Sequence, residues 1–365
     1  MARRVAFLRT KSVGGVEPRL DREARALAAA GYEVHAILWD RDLAFPEREA
    51  RQGYTVHRIR LAAPYNRPSL AWKIPGFWRR ATRALRGLRP DIVHAADWDT
   101  IPPAMRARRG WGAKVVFDIW DFYADMITAR IPQRLRLAVE RREQDAVGEA
   151  DLVILPDLAR RARLRTEPRR LIEIVNVPEE RPLVPEPHDG FHVFYGGNLS
   201  KDRGLQYLVP ACERAGARLL VAGQGPDEAE LVPQIRGSSS AEFLGYLSHD
   251  DVLRHTANAD AIPLLYDPAV AMNRLASPNK LFEAMMCGKP VVASEGIAIA
   301  ELVRREGIGL VVPYGDVDRL GGALRSLIDS PPRRREFGAR GRAVYEARYR
   351  WDVMRQRVLD AYSAL

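Results

Sequence analysis

Lys280 and Glu283 stand three positions apart in the run Ser277-Pro278-Asn279-Lys280-Leu281-Phe282-Glu283-Ala284, so on a helix they share one side. Ser277 and Pro278 read as a cap and a first helical residue, which presents the leading amides near Asn279 and Lys280 as an anion site. Lys280 adds a full positive charge beside that helix end, a setting that binds a diphosphate and stabilises it as it departs. Glu283, one turn in on the side of Asn279, offers a carboxylate able to accept two hydrogen bonds from ribose hydroxyls. Leu281, Phe282 and Met285 supply a packing face and Gly288 a stop, so periodicity alone is equally satisfied by an ordinary capped helix.

A second constellation is Tyr195-Gly196-Gly197-Asn198-Leu199-Ser200-Lys201-Asp202-Arg203-Gly204, a strand running into a glycine turn and a basic loop. The carboxyl ends of strands are where ligands bind in open α/β sheets, glycine admits phosphate close to the backbone, and Arg203 can grip a phosphate with two donors. A plain strand-to-helix turn would carry the same glycine pair. A third turn, Gly223-Gln224-Gly225-Pro226, lacks a full dinucleotide fingerprint.

These groups need strand ends and helix starts to hold them, and the chain supplies both. Short apolar runs alternate with helix-period segments throughout, the pattern of parallel strands joined by crossover helices, so the class is α/β. Strands are expected at residues 5–8, 34–38, 56–61, 92–94, 115–117, 152–155 and 171–177. After the border they recur at 193–195, 219–221, 242–244, 261–265, 291–292 and 310–312. A helix from Asp21 to Ala30, capped by Asp21, typifies the connections, and amphipathic helices at 332–349 and 352–364 close the chain. Residues 178–190 hold four prolines and little that can pack, marking a border or hinge. The expected layout is an N-terminal Rossmann-like domain at 1–180, a Pro-rich linker at 181–190, a second Rossmann-like domain at 191–350, and a last helix at 351–365 returning to the first domain.

With 365 residues, two domains are the natural division. Hydrophobic residues at 47% and charged residues at 28% fit a folded chain rather than a disordered one. No apolar run approaches about 18 residues and no secretory signal is visible at the start, so a cytoplasmic protein is expected. Cys212 and Cys287 form neither a disulfide framework nor a zinc pattern. The net charge of +10 lies wholly in residues 1–180, with 34 Lys and Arg against 24 Asp and Glu, whereas residues 181–365 balance at 23 each. A basic half attracts nucleic acid, an anionic membrane or a phosphorylated acceptor; no nucleic-acid module is present, so nucleic acid is not an expected partner.

The second half resembles family 4 of the retaining glycosyltransferases, which have the GT-B fold. The similarity runs through the glycine turn with its later basic-Gly pair, Val221-Ala222-Gly223-Gln224-Gly225-Pro226, Phe243-Leu244-Gly245-Tyr246, Ala259-Asp260, Pro278-Asn279-Lys280-Leu281-Phe282-Glu283-Ala284 and Glu301-Leu302-Val303, with Gly309 to Asp316 and Trp351 also in place. It covers residues 191–352 well and the first half loosely. The resemblance implies two Rossmann-like doubly wound domains facing an interdomain cleft. It also implies transfer of a sugar from a nucleotide-diphosphate donor, UDP- or GDP-linked, to an acceptor hydroxyl in glycan, polysaccharide or glycolipid synthesis.

On that resemblance Arg203 and Lys280 grip the donor diphosphate and Glu283 the ribose, with Ser277, Pro278, Asn279, Leu281, Gly196, Gly197 and Asn198 around them. Gly245 and Tyr246 line the base pocket, and Gly14 and Gly15 form the loop near diphosphate and acceptor. The departing diphosphate serves as base on the donor's own face, giving retention without a separate nucleophile, a bound metal or a cofactor. Three positions depart from the family. Leu275 stands where an earlier glutamate touches the donor sugar, leaving Asn273, Arg274 or Asn279 as substitutes; the Pro-Asn-Lys form marks a subgroup. Asn198 replaces the usual arginine, and Asp118-Ile119-Trp120-Asp121 replaces an Asp-x-His pattern. Rivals on the same fold are a nucleotide-sugar epimerase and an inactive relative that only binds.

In the first half, His94, Asp97, Asp118, Trp120 and Asp121 follow strands and are expected to face the cleft as acceptor or sugar contacts. The carboxylate pairs among them lack further ligands for a metal. Residues 72–89 combine aromatics with Arg79, Arg80, Arg83 and Arg86, while Phe77, Ala81, Ala84 and Leu88 recur at helical spacing. That composition suits either peripheral attachment to an anionic membrane or a surface helix that lends its apolar stripe to the core.

Overall fold

The computed structural model describes residues 2–11, 15–64, 69–127, 132–180 and 182–365. The chain divides into two units, one of Met1–Val175 with Met354–Leu365 and one of Asn176–Val353.

Among the described residues the first unit is built on eight strands: β1 (Arg4–Arg9), β2 (Glu33–Asp40), β3 (Arg48–Arg51), β4 (Tyr54–Arg60), β5 (Ile92–Ala96), β6 (Lys114–Asp118), β7 (Leu152–Leu155) and β8 (Leu171–Glu173). They lie in the order β3-β4-β2-β1-β5-β6-β7-β8, all parallel except the β3/β4 pair. The central strands are apolar on both faces because helices cover both, and Val5, Ala6, Leu8, Val93, Val115 and Val153 are fully buried. Strand order reverses direction between β1 and β5, which makes their carboxyl ends the switch point of this sheet.

The second unit contributes β9 (His192–Gly196), β10 (Arg218–Ala222), β11 (Ala241–Phe243), β12 (Ile262–Leu264), β13 (Val291–Ser294) and β14 (Gly309–Val312). Two three-stranded parallel groups, β11-β10-β9 and β12-β13-β14, are joined by a parallel bridge between Val193 and Ala261. The resulting order has its switch point between β9 and β12.

Several boundaries differ from the sequence expectation. β3, with the sequence Arg-Glu-Ala-Arg, has no apolar alternation and is an antiparallel edge strand held by β4. β8 stops at Glu173 rather than continuing to Val177, because β7, the strand it pairs with, ends at Leu155 before Pro156. The first helix spans Pro18–Ala29; proline at its start needs no donor there, and Asp21 lies in its first turn, where it accepts from Arg25 and Tyr54 instead of capping. The closing segment is a helix over Pro331–Val344, a π-helical turn over Tyr345–Tyr349 that buries both tyrosines, and a helix over Trp351–Ser363.

Candidate functional site

In the second unit β9 ends in the glycine turn, and a short 3-10 turn, Lys201–Arg203, then leads through Gly204 into the helix Leu205–Ala215. Arg203 projects over the Tyr266 ring at 4.4 Å, its guanidinium held by Asp202 at 3.0 Å and by the side-chain oxygen of Asn273. Tyr266 follows β12, so this contact lies across the switch point. From the helix Asn279–Met286, Lys280 brings its Nζ 3.7 Å from the Tyr195 ring and 5.8 Å from the Tyr266 ring. Two cations therefore share one aromatic floor, an arrangement that ring quadrupoles permit and that an anion would complete.

The electrostatics record that tension. Burial, and then the neighbouring Arg203, pull Lys280 down to about 7, with Glu283 opposing. Burial lifts Glu283 to about 7, with Lys280 opposing, and its Oε1 lies 3.8 Å from His249 Nδ1. Glu283 is 3% exposed.

Several predicted positions take other parts. Pro278, with ψ 141°, is the N-cap, so Ser277 lies outside the helix. Leu281 is buried in the core and offers no side chain to a ligand. The Asn279 Oδ1 accepts from Asn176, and Asn273, one suggested substitute for the missing glutamate, is buried and engaged by Arg203, Asp202 and Asp267. Gly196 packs against Phe194 and Val252, while Gly197 is exposed and a Cβ there would lie 3.4 Å from Lys280 Nζ. The Asn198 carbonyl accepts from the Tyr195 hydroxyl at 2.6 Å. Gly245 has φ +74° with open space around it, and Tyr246 beside it is 74% exposed. Tyr266 escaped the sequence reading, Tyr195 and Asp202 were quoted there without a role, and Asn273 was offered only in place of the missing glutamate; the one available signal for Tyr266 was its place just past the end of an apolar run.

In the first unit Gly15 is buried beside Phe45, with φ +108°, and Gly14 lies outside the described residues. His94, expected to meet a ligand, is instead buried: its ring stacks on Phe7 at 4.5 Å, Nδ1 pairs with the Tyr362 hydroxyl at 2.5 Å, and Nε2 with Asp118 Oδ2 at 3.3 Å. Both ring nitrogens are satisfied, so His94 is a structural group. Asp97 and Asp118 are also buried. Asp97 accepts from Arg9 and from the amides of Trp120 and Asp121, fixing the loop after β6. Asp118 accepts from Arg19 at 2.7 Å and from Trp120 Nε1 at 2.6 Å. Burial would raise its carboxyl, but Arg19, His94 and Trp120 together hold it below the ordinary value. That leaves Trp120, part-exposed with Arg9 3.9 Å over its ring, and Asp121, bound by Arg160, as the groups able to meet a ligand.

Ligand atoms of Glu23, His94 and Asp118 lie within 4.8 Å of one another. Arg19 already bridges the two carboxylates, at 3.0 and 2.7 Å, and takes the place a cation would need.

Two doubly wound sheets, the second with two cations meeting near its switch point, are the fold of GT-B glycosyltransferases. The fold is similar to that of sucrose-phosphate synthase from Thermosynechococcus elongatus, with a TM-score of 0.81 at 20% identity, covering 99% of this chain and 98% of that one. A family model for a glycosyl transferase 4-like domain matches residues 14–179, and one for glycosyl transferases group 1 matches residues 190–330. A GDP-mannose-dependent alpha-(1-6)-phosphatidylinositol monomannoside mannosyltransferase of Mycobacterium tuberculosis is 30% identical over 290 residues, 77% of this chain and 70% of the relative. A glycogen synthase of the same organism is 24% identical over 393 residues, 96% of this chain and 91% of the relative. The chain belongs to the glycosyl transferases group 1 family.

Proposed function

We propose that the chain transfers a sugar, with retention, from a nucleotide-diphosphate sugar to an acceptor hydroxyl. The observation that carries this is the meeting of Arg203 and Lys280 over Tyr266, with Glu283 one turn further along the same helix. The diphosphate lies against the two cations and the ribose against Glu283, while Tyr246 offers an exposed ring to the base. As the glycosidic C–O bond breaks, the charge growing on the diphosphate is met by groups already in place, and the diphosphate takes the proton of the incoming hydroxyl on the same face. This reading routes the reaction through side-chain charge and assigns no step to a metal.

Thermal-shift measurements with UDP, GDP and ADP test the proposal. A nucleotide at one hundred times its Kd adds about 2.7 kcal/mol, and stabilisation by none of them overturns the reading.

The same pocket predicts a pH dependence. A bound diphosphate favours the ammonium form, so Lys280 must bind a proton once pH exceeds about 7 in the free protein. Affinity therefore falls as pH rises, by up to tenfold per unit, until the value for the complex is reached. Calorimetry at pH 8 in buffers of different ionisation enthalpy should show proton uptake approaching one per nucleotide; uptake of none contradicts the assignment.

For the acceptor, we propose a glycan or lipid-linked hydroxyl held by the first unit near Trp120 and Asp121, with the chain working at the cytoplasmic face of an anionic membrane. The helix Leu70–Leu88 carries no acidic residue and exposes Lys73, Arg79, Arg80, Arg83 and Arg86, together with Trp72, which is 86% exposed. Its apolar stripe is not available for insertion: Phe77, Ala81 and Leu85 are fully buried, with Phe77 stacked on Trp39 at 5.0 Å. Attachment would thus be electrostatic, with Trp72 at headgroup level. Flotation with vesicles containing phosphatidylserine should retain the protein at low salt and release it at high salt, and Arg79→Glu with Arg83→Glu should abolish retention. Absence of binding at low salt removes the membrane from the proposal.

A further inference from the structure

A chain of buried hydrogen bonds connects the last helix to Trp120, all within the first unit. Tyr362, fully buried near the end of the helix Trp351–Ser363, places its hydroxyl 2.5 Å from His94 Nδ1. His94 Nε2 faces Asp118 Oδ2 at 3.3 Å, and that same oxygen accepts from Trp120 Nε1 at 2.6 Å. Proton directions follow from the inventory of groups. Asp118 is held as a carboxylate that only accepts, so His94 presents N–H at Nε2 to it, and Nδ1 pairs with the Tyr362 hydroxyl. Phe7 stacks on the imidazole and Tyr32 meets Tyr362 edge-on at 6.3 Å, so neither ring can turn to another partner without losing contact.

We infer that Tyr362 is a positioning residue for the first unit's site: through His94 and Asp118 it fixes the carboxylate oxygen that orients the indole of Trp120. Trp120 is the part-exposed end of this relay, and Arg9 lies over its ring. Arg19 holds the other oxygen of Asp118, so the carboxylate is pinned from two sides and its Oδ2 has one direction left for the indole. Without the Tyr362 hydroxyl the buried Nδ1 loses its partner, and one of the two hydrogen bonds that hold the imidazole in register with Asp118 is gone. The functional part of this inference rests on the glycosyltransfer reading above; the positional part does not.

The test separates the two. The seven tryptophans give seven indole N–H resonances in a 15N-labelled protein, and the one missing in Trp120→Phe is that of Trp120. In Tyr362→Phe, which keeps the ring and removes only the hydroxyl, this resonance should move more than the other six and exchange its proton with solvent at least about tenfold faster. His94→Gln breaks the relay from the other side and should move the same resonance, so the reading survives if one variant fails to fold. An unmoved Trp120 resonance in a folded variant overturns the inference whether or not the chain transfers sugar. In turnover with UDP-glucose or GDP-mannose, Tyr362→Phe should lower kcat about tenfold at unchanged donor KM, with no further loss when combined with Trp120→Phe. Additive losses would make Tyr362 and Trp120 independent and also overturn it.

Discussion

Lys280→Met should lower kcat/KM for sugar transfer by about a hundred- to a thousandfold, the scale seen when one preorganised donor to a developing oxyanion is removed. Methionine keeps a straight apolar stem over the Tyr195 ring, so the loss reports the charge rather than the packing. The free protein should be no less stable, since a partly desolvated ammonium beside Arg203 is a liability until an anion arrives. Binding of UDP or GDP should weaken in parallel, because Lys280 meets the diphosphate in both ground and transition states. Equal turnover in Lys280→Met and the parent, at any donor concentration, would remove the diphosphate from this pocket.

Gly223→Ala is expected to destabilise the second unit by more than about 4 kcal/mol, enough to prevent folding at ordinary temperature. Gly223 has φ +137°, and a Cβ there would stand 1.8 Å from the carbonyl oxygen of Gly197. Backbone meets backbone at that point, so no side chain can yield, and the conformation itself disfavours alanine. The loops after β9 and β10 are locked together by this approach, with Gly197 donating to Ala222 and Gly223 to Gly245, and Lys280 lies against the same Gly197. Gly110→Ala is the control: it lies in the helix Ile101–Trp111 with open space at its Cβ and should be neutral or stabilising by roughly 0.5–1 kcal/mol. Urea unfolding of the three proteins compares them directly.

The contrast between Gly223 and Lys280 also shows what a sequence can and cannot disclose. Lys280 was legible because a proline, a basic residue and an apolar face specify a helix start locally. Buried strands such as β1 and β7 were legible for a similar reason: four apolar residues in a row have few other uses. Gly223 read as a weak phosphate turn, since the oxygen it must clear belongs to a loop 26 positions earlier. His94 misled in the same way. A histidine past a strand resembles a ligand contact until its partner is known, and that partner, Tyr362, is 268 positions away. Arg203 was legible as a basic residue in the loop after a glycine turn, yet nothing local announced that Asn273 and Tyr266 would hold it. β3 was missed because its residues answer to the edge of a sheet rather than to a core.

That edge has a bearing on how the molecule behaves when concentrated. Arg48, Glu49 and Arg51 lie along the outermost strand of the eight, with Glu49 bound to Arg51 and Arg58 at 2.8 and 2.5 Å. A second chain attempting to add itself there would have to strip water from three charges, Glu49 and Arg51 among them already paired at home, for four residues of pairing. The strand thus works as a selvage, finishing the woven side of the sheet so that it does not unravel into a polymer.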